Sequence, residues 1–318
     1  MIEYRDGIHL KGTGLWFDSK KKTDLSFISS ADIDKFTAPE KIIATPETIN
    51  LLGNRVRKAV LLTCPYNRPF TLGNLQVELI PSGHMLGSAQ MVVDKGEKTL
   101  IYAGDINHGK LPTAKPLSIR SCDVLVLKCP HGPDSKLPTM AESLELLMKF
   151  IEEVLSLNAT PLLILNALGI GQDIIKSLGD NGYKLSLHPS IHQITKAYES
   201  FGISFGDYDL LKPANVNDRV VILSYEHSNT DDIKKIKAKR KAIIMECGEE
   251  EEHHDQGIRE TFTFSSKAGF YELMQYVDKV KPGKIYLIDR YANEFAKKLK
   301  SKGYETVVLE KPTQLDLL

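Results

Sequence analysis

Short apolar or alternating runs follow one another through the first 130 residues, at 8–11, 14–18, 25–28, 41–44, 75–81, 89–94, 98–103 and 122–128. In Leu75-Gln-Val-Glu-Leu-Ile80 and in Met91-Val-Val-Asp94 apolar and polar positions alternate, as in strands with one wet face. Gly73-Asn74 and Lys95-Gly96-Glu97 supply the turn chemistry between such strands. From about residue 139 the period lengthens. Met140 to Leu157 predicts an amphipathic helix, Pro161 to Leu165 a buried strand, and Gly171 to Leu178 a second helix. The runs Val220–Leu223 and Ala242–Met245 predict further parallel strands, because strands buried on both faces are continuously apolar. The chain then alternates helix 268–279, strand 284–288, helix 291–302 and strand 305–309. Glu249 to Asp255 reads as a charged loop, Lys311 to Leu318 as a tail, and there is no internal repeat.

At 318 residues the chain has room for one large α/β domain or two medium ones. Lys+Arg and Asp+Glu both count 41, so the net charge is zero, which argues against a strong nonspecific grip on nucleic acid and leaves only a local basic groove. Cys64, Cys122, Cys129 and Cys247 show no C-x-x-C spacing and read as reduced, buried thiols. No apolar run approaches the length of a membrane span, and the N-terminus lacks a signal-peptide layout. The expectation is a soluble cytoplasmic protein with no membrane partner.

Several blocks carry more specific information. They are Gly83-His-Met-Leu-Gly-Ser-Ala-Gln90, Leu100-Ile-Tyr-Ala-Gly-Asp105, and Leu111-Pro-Thr-Ala-Lys-Pro116 followed by Cys122-Asp-Val-Leu-Val-Leu-Lys128. Further along come Ala167-Leu-Gly-Ile-Gly-Gln172, Phe264-Ser-Ser-Lys267-Ala and Lys281-Pro-Gly-Lys-Ile-Tyr-Leu-Ile-Asp289. In this order they resemble the β-CASP nucleases of the metallo-β-lactamase superfamily, and at this length the DNA-ligase-associated exonucleases and small archaeal RNA-processing homologues. The resemblance implies an α/β fold: a metallo-β-lactamase αββα sandwich with an inserted β-CASP-like α/β domain. It sets the first part at 1–134, the insertion at 135–260, the return at 261–310 and the tail at 311–318.

In that family two zinc ions activate a bridging water, held by imidazoles and carboxylates. Where the family carries H-x-H-x-D-H, this chain reads Ser30-x-Asp32-x-Asp34-Lys35. Position by position, Asp18 matches an aspartate that orients ligands, Ser30 and Asp32 stand for two histidines, and Asp34 is retained. Lys35 replaces a histidine of the second metal, while His84 and the bridging Asp105 are kept. Lys128 replaces an acidic residue, Lys267 the histidine that serves as general acid, and Asp289 the last metal-binding histidine. Removing two divalent ions takes away about four positive charges, which clustered carboxylates would leave unbalanced. The lysines 35, 128 and 267 return positive charge to the same pocket. One reading is therefore salt bridges in place of the metals, with zinc excluded and no cofactor. The other is an oxygen-rich Mg²⁺ or Mn²⁺ site on Asp32, Asp34, Asp105, Asp289 and His84.

The remaining candidates are weaker. His253-His254 lies among glutamates in the charged loop, His131 in a Pro/Gly turn, and Trp16-Phe17 reads as core. Lys237, Lys239 and Arg240, within the basic run 234–241, offer a nucleic-acid contact or else a solvated helix face. The tail residues Gln314, Leu315, Leu317 and Leu318 resemble the Q-L-x-L-F peptide that docks on sliding clamps, and imply a partner-binding role. Together these expectations describe a catalytically silent nuclease homologue. It would act as a binding or scaffold subunit beside nucleic acid and a replication, repair or RNA-processing protein. The alternative is a metal-dependent exonuclease or phosphodiesterase with an Asp-rich site. A third possibility, new chemistry on Lys35 or Lys267, lacks a nucleophile–base pair.

Overall fold

A computed structural model describes residues 1–4, 7–33, 36–248 and 260–309. The chain divides into two units, one of Met1–Lys110, Ala114–Ser135 and Lys267–Leu318, the other of Leu111–Thr113 and Lys136–Ser266.

The first unit opens with β1 (Ile2–Tyr4), β2 (Ile8–Leu10), β3 (Leu15–Phe17), β4 (Leu25–Phe27) and β5 (Lys41–Ala44). Helix α1 (Pro46–Leu52) leads to β6 (Val60–Thr63). These six strands form one sheet in chain order, antiparallel from β1 to β3 and parallel from β3 to β6. Then follow β7 (Phe70–Leu72), β8 (Leu75–Pro81), β9 (Ala89–Lys95), β10 (Lys98–Tyr102) and β11 (Val124–Lys128). After the second unit come α6 (Phe270–Val280), β18 (Lys284–Ile288), α7 (Ala292–Ser301) and β19 (Glu305–Val308). The second sheet runs β19-β18-β11-β10-β9-β8-β7. Its β7, β8, β9 and β10 form an antiparallel meander, with Gly73 between β7 and β8 and Gly96 between β9 and β10 at positive φ where an L side chain would be strained.

The two sheets face each other across one core. Phe17, Phe27, Leu10 and Ile43 of the first meet Tyr102, Met91, Leu79 and Val126 of the second. Phe17 and Tyr102 stack with ring centroids 4.8 Å apart. Helices α6 and α7 cover the outer face of the second sheet. Phe270, Leu273, Met274, Tyr276 and Val277 on one, and Ala292, Phe295, Ala296 and Leu299 on the other, join Ile101, Leu125 and Ile285 beneath them.

The second unit contains α2 (Met140–Ser156), β12 (Thr160–Ile164), α3 (Ile170–Asp180), β13 (Leu185–Leu187), α4 (Pro189–Glu199) and β14 (Tyr208–Leu210). It closes with β15 (Val220–Leu223), α5 (Asp231–Lys234), β16 (Lys239–Glu246) and β17 (Glu260–Phe264). Its sheet is wholly parallel, in the order β14-β13-β15-β12-β16-β17. Both faces are covered, as a parallel sheet requires: α2 and α3 pack on one, and Ile233 and Ile236 with Val216 on the other. Helix α2 starts at a capping box, in which Thr139 and Glu142 satisfy each other's backbone N–H groups.

One element differs from expectation. The basic run 234–241 is no helix face: it leaves α5 at Lys234 and enters β16 at Lys239, a central strand of the sheet. A basic run does not decide helix against strand when a strand's ends reach solvent. The acidic loop with His253 and His254 and the tail with Gln314, Leu315, Leu317 and Leu318 lie outside the described residues, as do Asp34 and Lys35. No helix among the described residues is long and apolar enough to cross a membrane.

Candidate functional site

The first unit gathers its polar side chains beyond the carboxyl ends of neighbouring strands, where chain direction leaves a crevice. Asp18 follows β3, Ser29, Ser30 and Asp32 follow β4, His84 lies in the β8–β9 connection, Asp105 follows β10, and Lys128 ends β11. Lys267 precedes α6. Two tight backbone approaches shape the crevice. A Cβ on Gly104 would sit 2.8 Å from Ser29 Cβ, and one on Gly87 would sit 2.7 Å from the Thr48 backbone nitrogen. Both glycines have positive φ. The carbonyl of Gly87 accepts hydrogen bonds from Thr45 Oγ1 at 2.7 Å and Thr48 Oγ1 at 2.9 Å, which fixes the loop that carries His84.

Two linked pairs fill the site. His84 is buried, and its Nε2 lies 2.6 Å from Asp32 Oδ2, while Ser30 Oγ donates to Asp32 Oδ1. Lys128 Nζ donates to Asp105 Oδ2 at 2.9 Å and stands 3.4 Å from Asp18 Oδ2. Asp18 is itself held by the Ser29 backbone N–H at 2.7 Å, Ser29 Oγ at 2.6 Å and Tyr102 Oη at 2.8 Å. Its φ of 44° shows that the backbone bends to deliver the carboxylate.

The charges agree with this geometry. Burial pushes the Asp32 carboxyl up, but the charge and hydrogen bond of His84, with Lys267 and Ser30, outweigh it and hold Asp32 below the usual carboxylate range. Burial pushes His84 down, and Asp32, then Asp105, raise it to about 9, so it is an imidazolium at neutral pH. Asp105 is pushed up by burial and down, on balance, by Lys128, Lys267 and His84. Desolvation acts against the Lys128 ammonium, yet Asp105, Tyr102 and Asp18 keep its pKa well above the ordinary lysine value. Among the described residues, three carboxylates, Asp18, Asp32 and Asp105, thus share the pocket with three cations, His84, Lys128 and Lys267.

This donor set does not fit a zinc pair. Asp32 and His84 are turned onto each other, and the Asp105 carboxylate accepts from an ammonium that has no lone pair to offer a metal. Among the described residues no three His, Cys, Asp or Glu side chains come together where a metal ion could be held. Asp289 is not drawn into the pocket. It follows β18, as its place in the sequence suggests, but it is exposed, with φ 88°, and its charge acts on the buried Cys129 thiol.

Other expected residues sit elsewhere. His131 is buried, Phe17 is core, and Trp16 lies half-buried against His9, ring centroids 4.6 Å apart. Lys239 directs its ammonium to the carbonyls of Ile233, Lys234 and Ile236, and Arg240 bridges Glu153 and Glu260 at 2.6 Å each. Lys237 is exposed. Three participants were not singled out from the sequence. Ser29 and Tyr102 complete the cage around Asp18, and Arg55 donates to the carbonyls of Ala31 and Ile33 beside Asp32. Tyr102 stands inside the Y-x-G-D block and was within reach of sequence reasoning. Nothing in the sequence connects Arg55 to residues more than twenty positions earlier.

Comparison with known proteins points to a nuclease relationship at low identity. The chain is 27% identical over 324 residues to a probable DNA ligase of Opitutus terrae, an alignment covering 99% of this chain and 32% of that protein. It is 29% identical over 105 residues to the RNase J-like protein of Methanocaldococcus jannaschii, covering 32% of this chain and 25% of that one. Endoribonuclease ysh1 of Emericella nidulans is 26% identical over 140 residues, 43% of this chain and 15% of its own length. The chain therefore spans about a third of the ligase relative and less of the others. No family model matches it.

Proposed function

We propose that this chain is a non-hydrolytic relative of the metallo-β-lactamase/β-CASP nucleases that serves as a binding or scaffold subunit in nucleic-acid processing. Supporting the architecture are the ordered sequence blocks, the nuclease names among its relatives, and a first unit of two facing sheets with helices outside. The observation that carries the reading is the Lys128 ammonium, 2.9 Å from Asp105 and 3.4 Å from Asp18. It places a fixed positive charge on the carboxylate that bridges two metals in the family, and a cation there opposes any metal ion. With His84 and Lys267 it balances the three carboxylates, which removes the electrostatic demand for divalent ions.

Because the long alignment lies within a protein named a probable DNA ligase, the fitting setting is DNA joining or repair, with a ligase as partner. The tail 314–318 would add a sliding-clamp contact, and four unpaired thiols suit the reducing cytoplasm. Deleting 313–318 should abolish clamp capture in a pull-down. The competing reading, an Mg²⁺ or Mn²⁺ phosphodiesterase, draws on the same Asp32, Asp105 and His84. Metal analysis with nuclease assays in Mn²⁺ and Zn²⁺ separates the two. The expected result is sub-stoichiometric metal and turnover no greater than that of Asp105→Ala. Activity that disappears in that variant would show a working metal site.

A further inference from the structure

If the crevice is charge-balanced and the run 234–241, apart from Lys237, is tied up internally, a nucleic-acid partner must be held elsewhere. Lys234 and Lys235 pair with Asp231 at 3.0 Å and Asp232 at 2.7 Å, and Lys241 reaches Asn229 at 2.7 Å. The contrast within the first unit is plain. Lys297, Lys298 and Lys300 on α7, with Lys279 and Lys281 at the end of α6, are all exposed. Among the described residues none of these five has a side-chain hydrogen bond or an ion pair.

The two helices bring these lysines to one place. Both pack on the same face of the second sheet, with Phe270 and Phe295 edge to face at 4.9 Å. Both lead into parallel strands and so point the same way. Their carboxyl ends are tied together, since Lys302 donates to Asp278 at 2.8 Å and Tyr304 Oη donates to its other oxygen at 3.1 Å. Helix α7 buries Ala292, Phe295, Ala296 and Leu299, so its 3.6-residue period turns Lys297 and Lys300 outward. Nearby acids are largely engaged: Asp278 as described, and Glu272 by the Gly269 N–H. Glu294 alone remains on α7 against three lysines. Lysines near a helix carboxyl end favour the helix dipole. That accounts for Lys298 and Lys300 in the last turn of α7 and for Lys279 and the C-cap Lys281 of α6, but not for Lys297.

We propose that this lysine face of α6 and α7 grips the phosphate backbone of a nucleic acid without reading its sequence. The inference rests on the nucleic-acid reading above and goes beyond it by assigning the surface. Its chemistry is that of phosphate neutralisation with release of counterions, so affinity must fall steeply with salt. DNA and RNA share that backbone, and separate arms distinguish them.

The test is anisotropy of labelled single-stranded and duplex DNA, and of RNA of the same sequence, titrated with the full chain across a salt series. The variant Lys297→Glu/Lys298→Glu/Lys300→Glu should bind at least about tenfold more weakly, with a log–log salt slope shallower by about 2 to 3. The Lys→Arg version of the same three positions should bind as wild type, and Lys234→Glu/Lys235→Glu/Lys237→Glu should change little. Unchanged binding in the α7 variant, or greater loss in the 234–237 variant, overturns this assignment and leaves the nucleic-acid reading standing. A wild-type chain that binds neither DNA nor RNA at low salt overturns that reading, and this one with it.

Discussion

Lys128 shows what a single side chain does to the crevice. It reaches Asp105 and Asp18 together, with about a fifth of its side chain exposed. Truncation to Met would leave two nearly buried carboxylates without their counter-charge, and should destabilise the fold by about 2–4 kcal/mol in urea unfolding. The double variant Lys128→Met/Asp105→Asn should recover part of that loss, because contacting residues couple. Strictly additive effects would argue against the pairing. A second titrating residue lies in the second unit. His188 caps α4, and its ring stacks on His227 with centroids 4.0 Å apart. Burial, then the neighbouring His227, lower its pKa below the ordinary 6.5. The unfolded chain therefore takes up this proton first as pH falls. Its contribution to stability is complete above pH 6.5 and is lost as pH drops through the folded value. His188→Asn, which keeps an N-cap acceptor, should flatten that acid-side decline in urea midpoints measured between pH 7.5 and 5; parallel curves would exclude the effect.

Among elements, most alternating strands and the helices with clean apolar stripes were legible, but β17 was not, although Glu260-Thr-Phe-Thr-Phe264 alternates strictly. The run 75–81 is β8, the predicted helix 140–157 is α2 to within a residue, and 284–288 is β18. Most of the other missing strands share a physical cause. Strands β1, β7, β13 and β14 are three residues long, and β6 is an edge strand with Val60 and Leu61 exposed, so none shows a full period. Helix α4 lacks a run of apolar residues, although Pro189 marks its start. Packing between elements hinges on particular small residues. A Cβ on Gly171, in the first turn of α3, would stand 2.0 Å from the Asn166 carbonyl oxygen, a backbone atom that cannot swing away. Gly171→Ala should destabilise by about 3 kcal/mol or more. Thr139→Ala, which removes the α2 capping box, should cost only about 1 kcal/mol. Thermal melts of the two variants should rank them in that order.

At the scale of the molecule, the order of sequence blocks marked an α/β chain, and within the first unit the loops after β3, β4, β8 and β10, the end of β11 and the approach to α6 gather site residues from positions 18 to 267. Lys128 and Lys267 could be picked out as candidates because they fall inside recognisable blocks. Who pairs with whom was not: the cage of Ser29 and Tyr102 around Asp18, the turning of His84 onto Asp32, and the outward position of Asp289 depend on strand register and backbone bends. A charge-balanced crevice should also make the fold indifferent to chelation. Prolonged EDTA treatment is expected to move the melting temperature by less than about 1 °C. A resident metal pair would contribute on the order of 3–4 kcal/mol of linked stability, and its removal would lower the midpoint by several degrees.

The arrangement around Lys128 also behaves as a ratchet. Changing Lys128 alone to an acid would crowd a third carboxylate against Asp105 and Asp18 before any metal ligand had been gained. Placing a histidine at Ser30 alone would remove the hydroxyl that Asp32 accepts from. Each single step toward metal binding first exposes a buried charge or loses a hydrogen bond, and only several changes made together would repay it. On the reading proposed above, a metal centre at this position is therefore closed to one-at-a-time mutation.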